Sequence, residues 1–260
     1  MDKVKVYLTE LGDLYNMLKK LYDKSKIWFA VMWIVSYCVL MSVGDSLSVM
    51  LGVEKSVTFA VGLALSFVLL LFLKKNGMFE YYGLCCPKVS AKTMLYYIPV
   101  LVMLTTNCWY GLTFNFGVLE TVLYILAMLC VGFLEEVIFR GLLFEAMRKE
   151  NVKSAIIISS VTFGIGHIIN LVNGSGAEIL PNLLQVIYAT AAGFMFVMMY
   201  YKTKSLIICI AAHGIFNALS VFANEANTTQ NMRILTAIAL TVLTGGYATY
   251  IALTLRKNAK

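Results

Sequence analysis

The chain has 260 residues, 60% of them hydrophobic and 13% charged, with a formal net charge of +7. That charged share is about half of what a soluble domain carries, and apolar runs long enough to cross a bilayer recur along the length. A soluble enzyme is excluded, there is little room for a separate soluble domain, and the fold class is an all-α polytopic membrane protein. Nor does the positive charge indicate a nucleic-acid partner. Lys and Arg sit between the apolar runs, where membrane proteins use them to set orientation.

Residues 1–26 are polar but patterned. Val4, Leu8, Leu11, Tyr15, Leu18 and Tyr22 recur at helical spacing among six lysines, which predicts an amphipathic interfacial helix on an anionic inner leaflet. The apolar run that follows begins too late, and lacks the small-residue cleavage site, for a signal peptide. Residues 27–260 then read as one transmembrane domain with its motif core at 118–222. About eight spans are expected, at 27–43, 57–73, 93–114, 118–139, 154–172, 182–201, 205–222 and 233–255. Pro99 falls inside the third and is expected to kink it, while Pro181 stands where a helix starts well. Residues 173–180 read as a flexible outer loop. Ala189 with Gly193, and Gly164 with Gly166, are small residues suited to close helix approach.

Loop charge tests the span count. With an even number of spans, nineteen of the 21 Lys and Arg residues fall on one side, leaving Lys55 and Arg233 on the other. The positive-inside rule then predicts a multi-pass protein of the cell membrane with both termini cytoplasmic. The six cysteines show no CxxC spacing and read as free thiols.

Ionisable residues inside spans are costly and mark function more often than packing. Glu135 and Glu136 end a long apolar run, with Arg140 four residues beyond Glu136. On a helix Glu136 and Arg140 share a face with the acid first, the favourable order for an ion pair, while Glu135 is rotated by about 100° and left for chemistry. Both histidines of the chain lie in apolar spans. Phe163 and His167 are four apart, as are His213 and Asn217, so each pair shares a helix face; Asn170 follows on the His167 side. At 1.5 Å per residue, His167 lies roughly 21 Å from Lys153, His213 roughly 14 Å from Lys204, and Glu135 roughly 20 Å inside if its helix continues to Arg148. Three groups placed independently therefore reach comparable depths.

Such a set suits water activation. A carboxylate in an apolar setting can act as general base on a water that attacks a peptide carbonyl. His213 and Asn217 can donate to the oxyanion, and His167 can orient the water or protonate the leaving amine. No Ser or Cys stands in a nucleophile elbow, and Ser159 and Ser160 read as intrahelical hydrogen-bonding residues. The alternative is a metal such as zinc on His167, His213 and Glu135. The His-Glu-x-x-His spacing is absent, and a ligating Glu could not also serve as base, so no cofactor is the preferred reading.

These residues resemble the signature of the CAAX protease and bacteriocin-processing family, which includes type II CAAX prenyl endopeptidases and bacterial Abi-type proteins. Its three parts, Glu-Glu-x-x-x-Arg, Phe-x-x-x-His and His-x-x-x-Asn, stand here as Glu135 to Arg140, Phe163 to His167 and His213 to Asn217. The resemblance implies an all-helical intramembrane endopeptidase opening toward the cytoplasm. It gives Glu135 as base, His167 and His213 as catalytic, Asn217 as oxyanion donor, and Glu136 and Arg140 as support, with Phe163 in the motif. It leaves metal dependence and substrate open, the partner being a peptide or protein at the bilayer. The competing readings are a non-catalytic immunity or scaffold protein of the same fold, a two-histidine haem carrier, and a proton-coupled transporter. Haem does not account for Glu135, Glu136 and Arg140 together, and no repeated halves support a transporter.

Overall fold

The computed structural model describes residues 2–171 and 178–258. It is all-helical apart from one isolated bridge between Leu112 and Ala223. Helix α1 (Asp2–Lys24) leads into α2 (Lys26–Leu51), which starts because Ser25 caps it, its hydroxyl accepting from the Trp28 amide at 3.3 Å. Gly52 ends α2 at φ 68°, a left-handed position that glycine adopts without penalty. Then come α3 (Ser56–Lys75) and the short α4 (Ile98–Thr105). Helix α5 (Val118–Glu135) runs on without a break through π-helical Glu136–Phe144 into α6 (Glu145–Met147), a single rod. Asn151 caps α7 (Val152–Gly166), accepting from the Ser154 amide, and a 3₁₀ stretch His167–Leu171 extends it. Helices α8 (Ile179–Thr203), α9 (Ile207–Leu219) and α10 (Gln230–Asn258) complete the chain.

Loop hydrogen bonds gather the connections into two ends. At one end Lys88 N donates to Thr203 O, Leu206 N to Gly83 O, and Lys202 Nζ to both Thr93 O and Thr254 Oγ1. At the other, Glu54 N donates to Glu120 Oε1, Thr113 N to Phe222 O, and Tyr110 OH to Met232 O. Between them the described chain passes eight times. Six passes are helices long and apolar enough to cross a membrane. The other two are shorter: Ile207–Phe222, and the stretch at 93–112. That stretch differs from the continuous third span expected from the sequence. Leu95, Tyr96 and Tyr97 have φ of 49°, 50° and 59°, which breaks the helix, and Pro99 sits in the first turn of α4 and starts it instead of kinking it.

The end holding the 76–97 loop is the basic one; Lys55 and Arg233 lie at the opposite end. Arg140, grouped with the loop charges from the sequence, is fully buried and is not one of the cations that mark the basic end. Of the amphipathic pattern in α1, the side chains of residues 2–11 lie outside the described set, as does most of the 173–180 loop. The remainder packs on protein, not on an open face. Leu18 and Tyr22 are buried, Tyr22 OH accepts from Tyr82 OH at 2.9 Å, and the Tyr15 and Phe72 ring centroids are 6.1 Å apart.

Each long helix shows two faces. On α5, Val118, Val122, Leu126 and Leu129 are exposed at helical spacing, a lipid-compatible stripe, whereas Thr121, Gly132 and Glu135 face inward. Close crossings rest on small residues. Gly164 meets Thr190 and Gly193 meets Ser160, joining α7 to α8. Backbone comes nearest to backbone where α5 crosses α9, a Cβ on Gly132 standing 2.5 Å from Gly214 Cα. Gly132→Ala is therefore expected to destabilise the fold by about 1–3 kcal/mol through overpacking. Thermal unfolding in detergent checks this against Gly245→Ala, where an added Cβ meets nothing within 4 Å.

Candidate functional site

The Gly132–Gly214 crossing places His213 directly against the end of α5. The winding turns π-helical at Glu136, and every residue from Glu136 to Phe144 is buried. Short π-helical stretches inside α-helices recur at functional sites. Here adjacent acids reach one imidazole from its two edges: His213 Nδ1 is 2.8 Å from Glu136 Oε1, and Nε2 is 3.3 Å from Glu135 Oε2. Arg140 Nη1 donates to the same Glu136 oxygen at 3.0 Å, the ion pair expected from their spacing, and both side chains are wholly buried.

Aromatic rings enclose this network. The Arg140 guanidinium lies 4.0 Å from the Phe163 ring centroid and 5.5 Å from that of Phe196, close enough for cation–π attraction. Its Nε and Nη2 have no hydrogen-bond partner, so the rings are what they face. Phe163 also stands edge-on to both histidines, 5.2 Å from His167 and 5.6 Å from His213, and Phe196 stacks on His213 at 5.5 Å. Phe163 is thus the spacer that sets the two imidazoles and the guanidinium apart. Ser159, read from the sequence as an intrahelical residue, instead donates to Phe139 O at 2.8 Å and ties α7 to the π-helical stretch. Ser160 does bond within its own helix, to Ile156 O.

His167 is held through Nδ1, 3.0 Å from Phe163 O. A carbonyl only accepts, so Nδ1 carries the proton and Nε2 is left as the accepting nitrogen. Asn182 Nδ2 donates to the His167 carbonyl at 2.8 Å and anchors the helix end. The Asn217 amide has no hydrogen-bond partner among the described residues and lines the cavity that also holds Glu135 and His167. His213 does not line that cavity but borders a smaller one, of about 50 Å³, together with His167 and Asn217, while its two nitrogens lie 2.8 Å from Glu136 and 3.3 Å from Glu135. Asn170 also lines the cavity.

Two features escaped the sequence reading. Tyr37 on α2 donates to Glu135 Oε1 at 2.6 Å, the shortest contact to that carboxylate, and lines the cavity. Nothing local in its span marks it, because the pairing joins residues 98 positions apart. The second is the cavity's direction. It has a volume of about 350 Å³ and runs from Glu135 past Ser42 to Asp45, Lys55 and Thr58, away from the basic end. The resemblance implies an opening toward the cytoplasm, and the cavity's direction matches that only where the Lys55 end is the cytoplasmic one.

Among the described residues, no three His, Cys, Asp or Glu side chains are grouped to hold a metal ion. Within the set His167, His213 and Glu135, His213 stands 3.3 Å from Glu135, and its other nitrogen is 2.8 Å from Glu136. As placed they do not form the three-ligand set, and no step below is routed through a metal.

The Glu136→Gln variant leaves a fully buried guanidinium without its counter-charge. Breaking such a pair costs about 3–5 kcal/mol, so a large drop in folded yield and unfolding temperature is expected, measured by gel filtration and thermal unfolding in detergent.

Comparisons with known proteins cover the segment that carries this site. Residues 117–219 match the family model for type II CAAX prenyl endopeptidase Rce1-like proteins. "Putative membrane peptidase YdiL" of Bacillus subtilis (strain 168) is 37% identical over 89 residues, which cover 34% of this chain and 31% of that protein. No solved structure matches. The matched segment contains all three polar motifs, and over it the chain is similar to type II CAAX prenyl endopeptidases.

Proposed function

We propose that this protein is an intramembrane endopeptidase that hydrolyses a peptide bond in a membrane-associated or amphipathic peptide. The observation that carries this reading is a buried carboxylate, Glu135, sharing one cavity with the accepting nitrogen of His167 and the unpaired amide of Asn217. The match of residues 117–219 to type II CAAX prenyl endopeptidases and the likeness to a membrane peptidase of Bacillus subtilis support it.

In this mechanism Glu135 removes a proton from a cavity water, whose oxygen attacks the scissile carbonyl carbon. His167 Nε2 orients that water. The Asn217 amide donates to the oxyanion as it forms. The C–N bond then breaks, and the proton held by Glu135 passes to the leaving amine. Tyr37 and His213 act through Glu135: the phenol donates to one carboxylate oxygen, and the imidazole stands 3.3 Å from the other. Glu136 and Arg140 hold the imidazole. The orientation follows from loop charge, with the basic end and both termini cytoplasmic.

A non-catalytic scaffold would not need a carboxylate facing a cavity, and cleavage assays separate the two readings. Purified wild type is expected to cut candidate amphipathic peptides, with Glu135→Ala and His167→Ala reduced to background; equal cleavage by all three would remove the proposed site. Tyr37→Phe deletes one hydrogen bond to a charged group, worth about 1.5–3 kcal/mol. It should lower kcat roughly 10- to 100-fold with KM nearly unchanged, since 1.4 kcal/mol is tenfold. Chelators are expected to leave the activity intact, and loss on chelation with recovery on added zinc would show a metal-dependent reaction.

A further inference from the structure

We infer that the peptide reaches Glu135 from the end of the bundle bearing Lys55 and Arg233, the extracytoplasmic face if the loop charges set the orientation. This deepens the protease reading and rests on it for the identity of the occupant, but not for the route itself.

Two halves of the structure point the same way. Toward the basic end, Glu135 is followed by nine consecutive buried residues, Glu136–Phe144. Below them Glu145 accepts from Tyr200 OH at 2.8 Å, and Tyr200 packs on Phe144. Gly83 packs closely on Tyr200 and Leu206, where an added Cβ would clash with the Tyr200 ring. A chain could not pass here without unpacking the core and the Glu136–Arg140 pair.

Toward the other end, polar groups line the path. Ser42, Asp45, Thr58, Asn107, Tyr124 and Ser220 all border the cavity. Lys55 is turned into it: its Nζ is 2.8 Å from Asp45 Oδ1 and 5.9 Å from the Tyr124 ring, and its side chain is 16% exposed. Thr58 Oγ1 donates to the same Asp45 oxygen at 2.6 Å. A second cavity, of about 330 Å³, adjoins the first across Asn107, Gln185 and Tyr188 and contains Arg233 and Glu225. Hydrated, polar walls at this depth cost little only where water enters. Tyr124 precedes Glu135 by eleven residues, or about 16 Å of helix. That distance takes about five residues of extended peptide, so the Asp45–Lys55 pair forms the throat through which that length of substrate lies.

The test uses single-cysteine versions of the full chain in intact cells and in inverted membrane vesicles, with a membrane-impermeant maleimide. Cys38 lines the cavity and is native, Ser42→Cys adds a second reporter in the same wall, and exposed Cys86 reports the basic end. Cys38 and the Ser42→Cys thiol are expected to react at least about tenfold faster from the face on which Cys86 is silent, since thiol reactivity follows access. Labelling from the Cys86 face, from both faces alike, or from neither would overturn the route. The reading of labels needs no substrate, so one-sided labelling without peptide cleavage would count against the protease and leave the route standing.

Discussion

A fully buried Glu136–Arg140 pair, joined by His213, is the constraint around which the site is built. Two charges removed from water cost several kcal/mol each, and only close geometry with further hydrogen bonds offsets that. The helices comply. A glycine on each of α5 and α9 lets the backbones touch, so His213 arrives within 2.8 Å of Glu136. Phe163 and Phe196 cover the guanidinium, whose remaining nitrogens find no oxygen. Such a network is a poor source of stability compared with an apolar core of equal volume. Its retention makes sense through what it holds in place: the imidazole beside Glu135.

Glu135 then occupies a different environment from its neighbour. Glu136 is sealed among helices, while Glu135 borders a cavity and receives Tyr37 from α2. One acid is closed into an ion pair and the next faces a cavity. The π-helical winding from Glu136 to Phe144 lies at this handover. That stretch is buried from end to end, whereas the cavity is lined by polar groups toward Lys55.

Much of this was legible in the residues themselves. Charge scarcity and repeated apolar runs gave the all-helical membrane class. The four-residue spacings of Glu136 with Arg140, Phe163 with His167 and His213 with Asn217 named the helices that meet, because on a helix such pairs share a face. What stayed hidden is long-range. Tyr37 carries no local mark, and Gly132 with Gly214 has meaning only once their helices cross. The stretch 93–112 looked like a continuous span because hydropathy does not register the left-handed turn at Leu95–Tyr97.

The sequence by itself determined which side chains could do chemistry and roughly how deep each would lie, since both follow from residue type and rise per residue. The tertiary structure decided their partners and the direction of access. His213 became the support of two carboxylates, and the cavity ran toward Lys55 and not toward the basic end. Partnership and access depend on which helix faces pack together, and packing is set by all the helices at once, not by the spacing along any one of them.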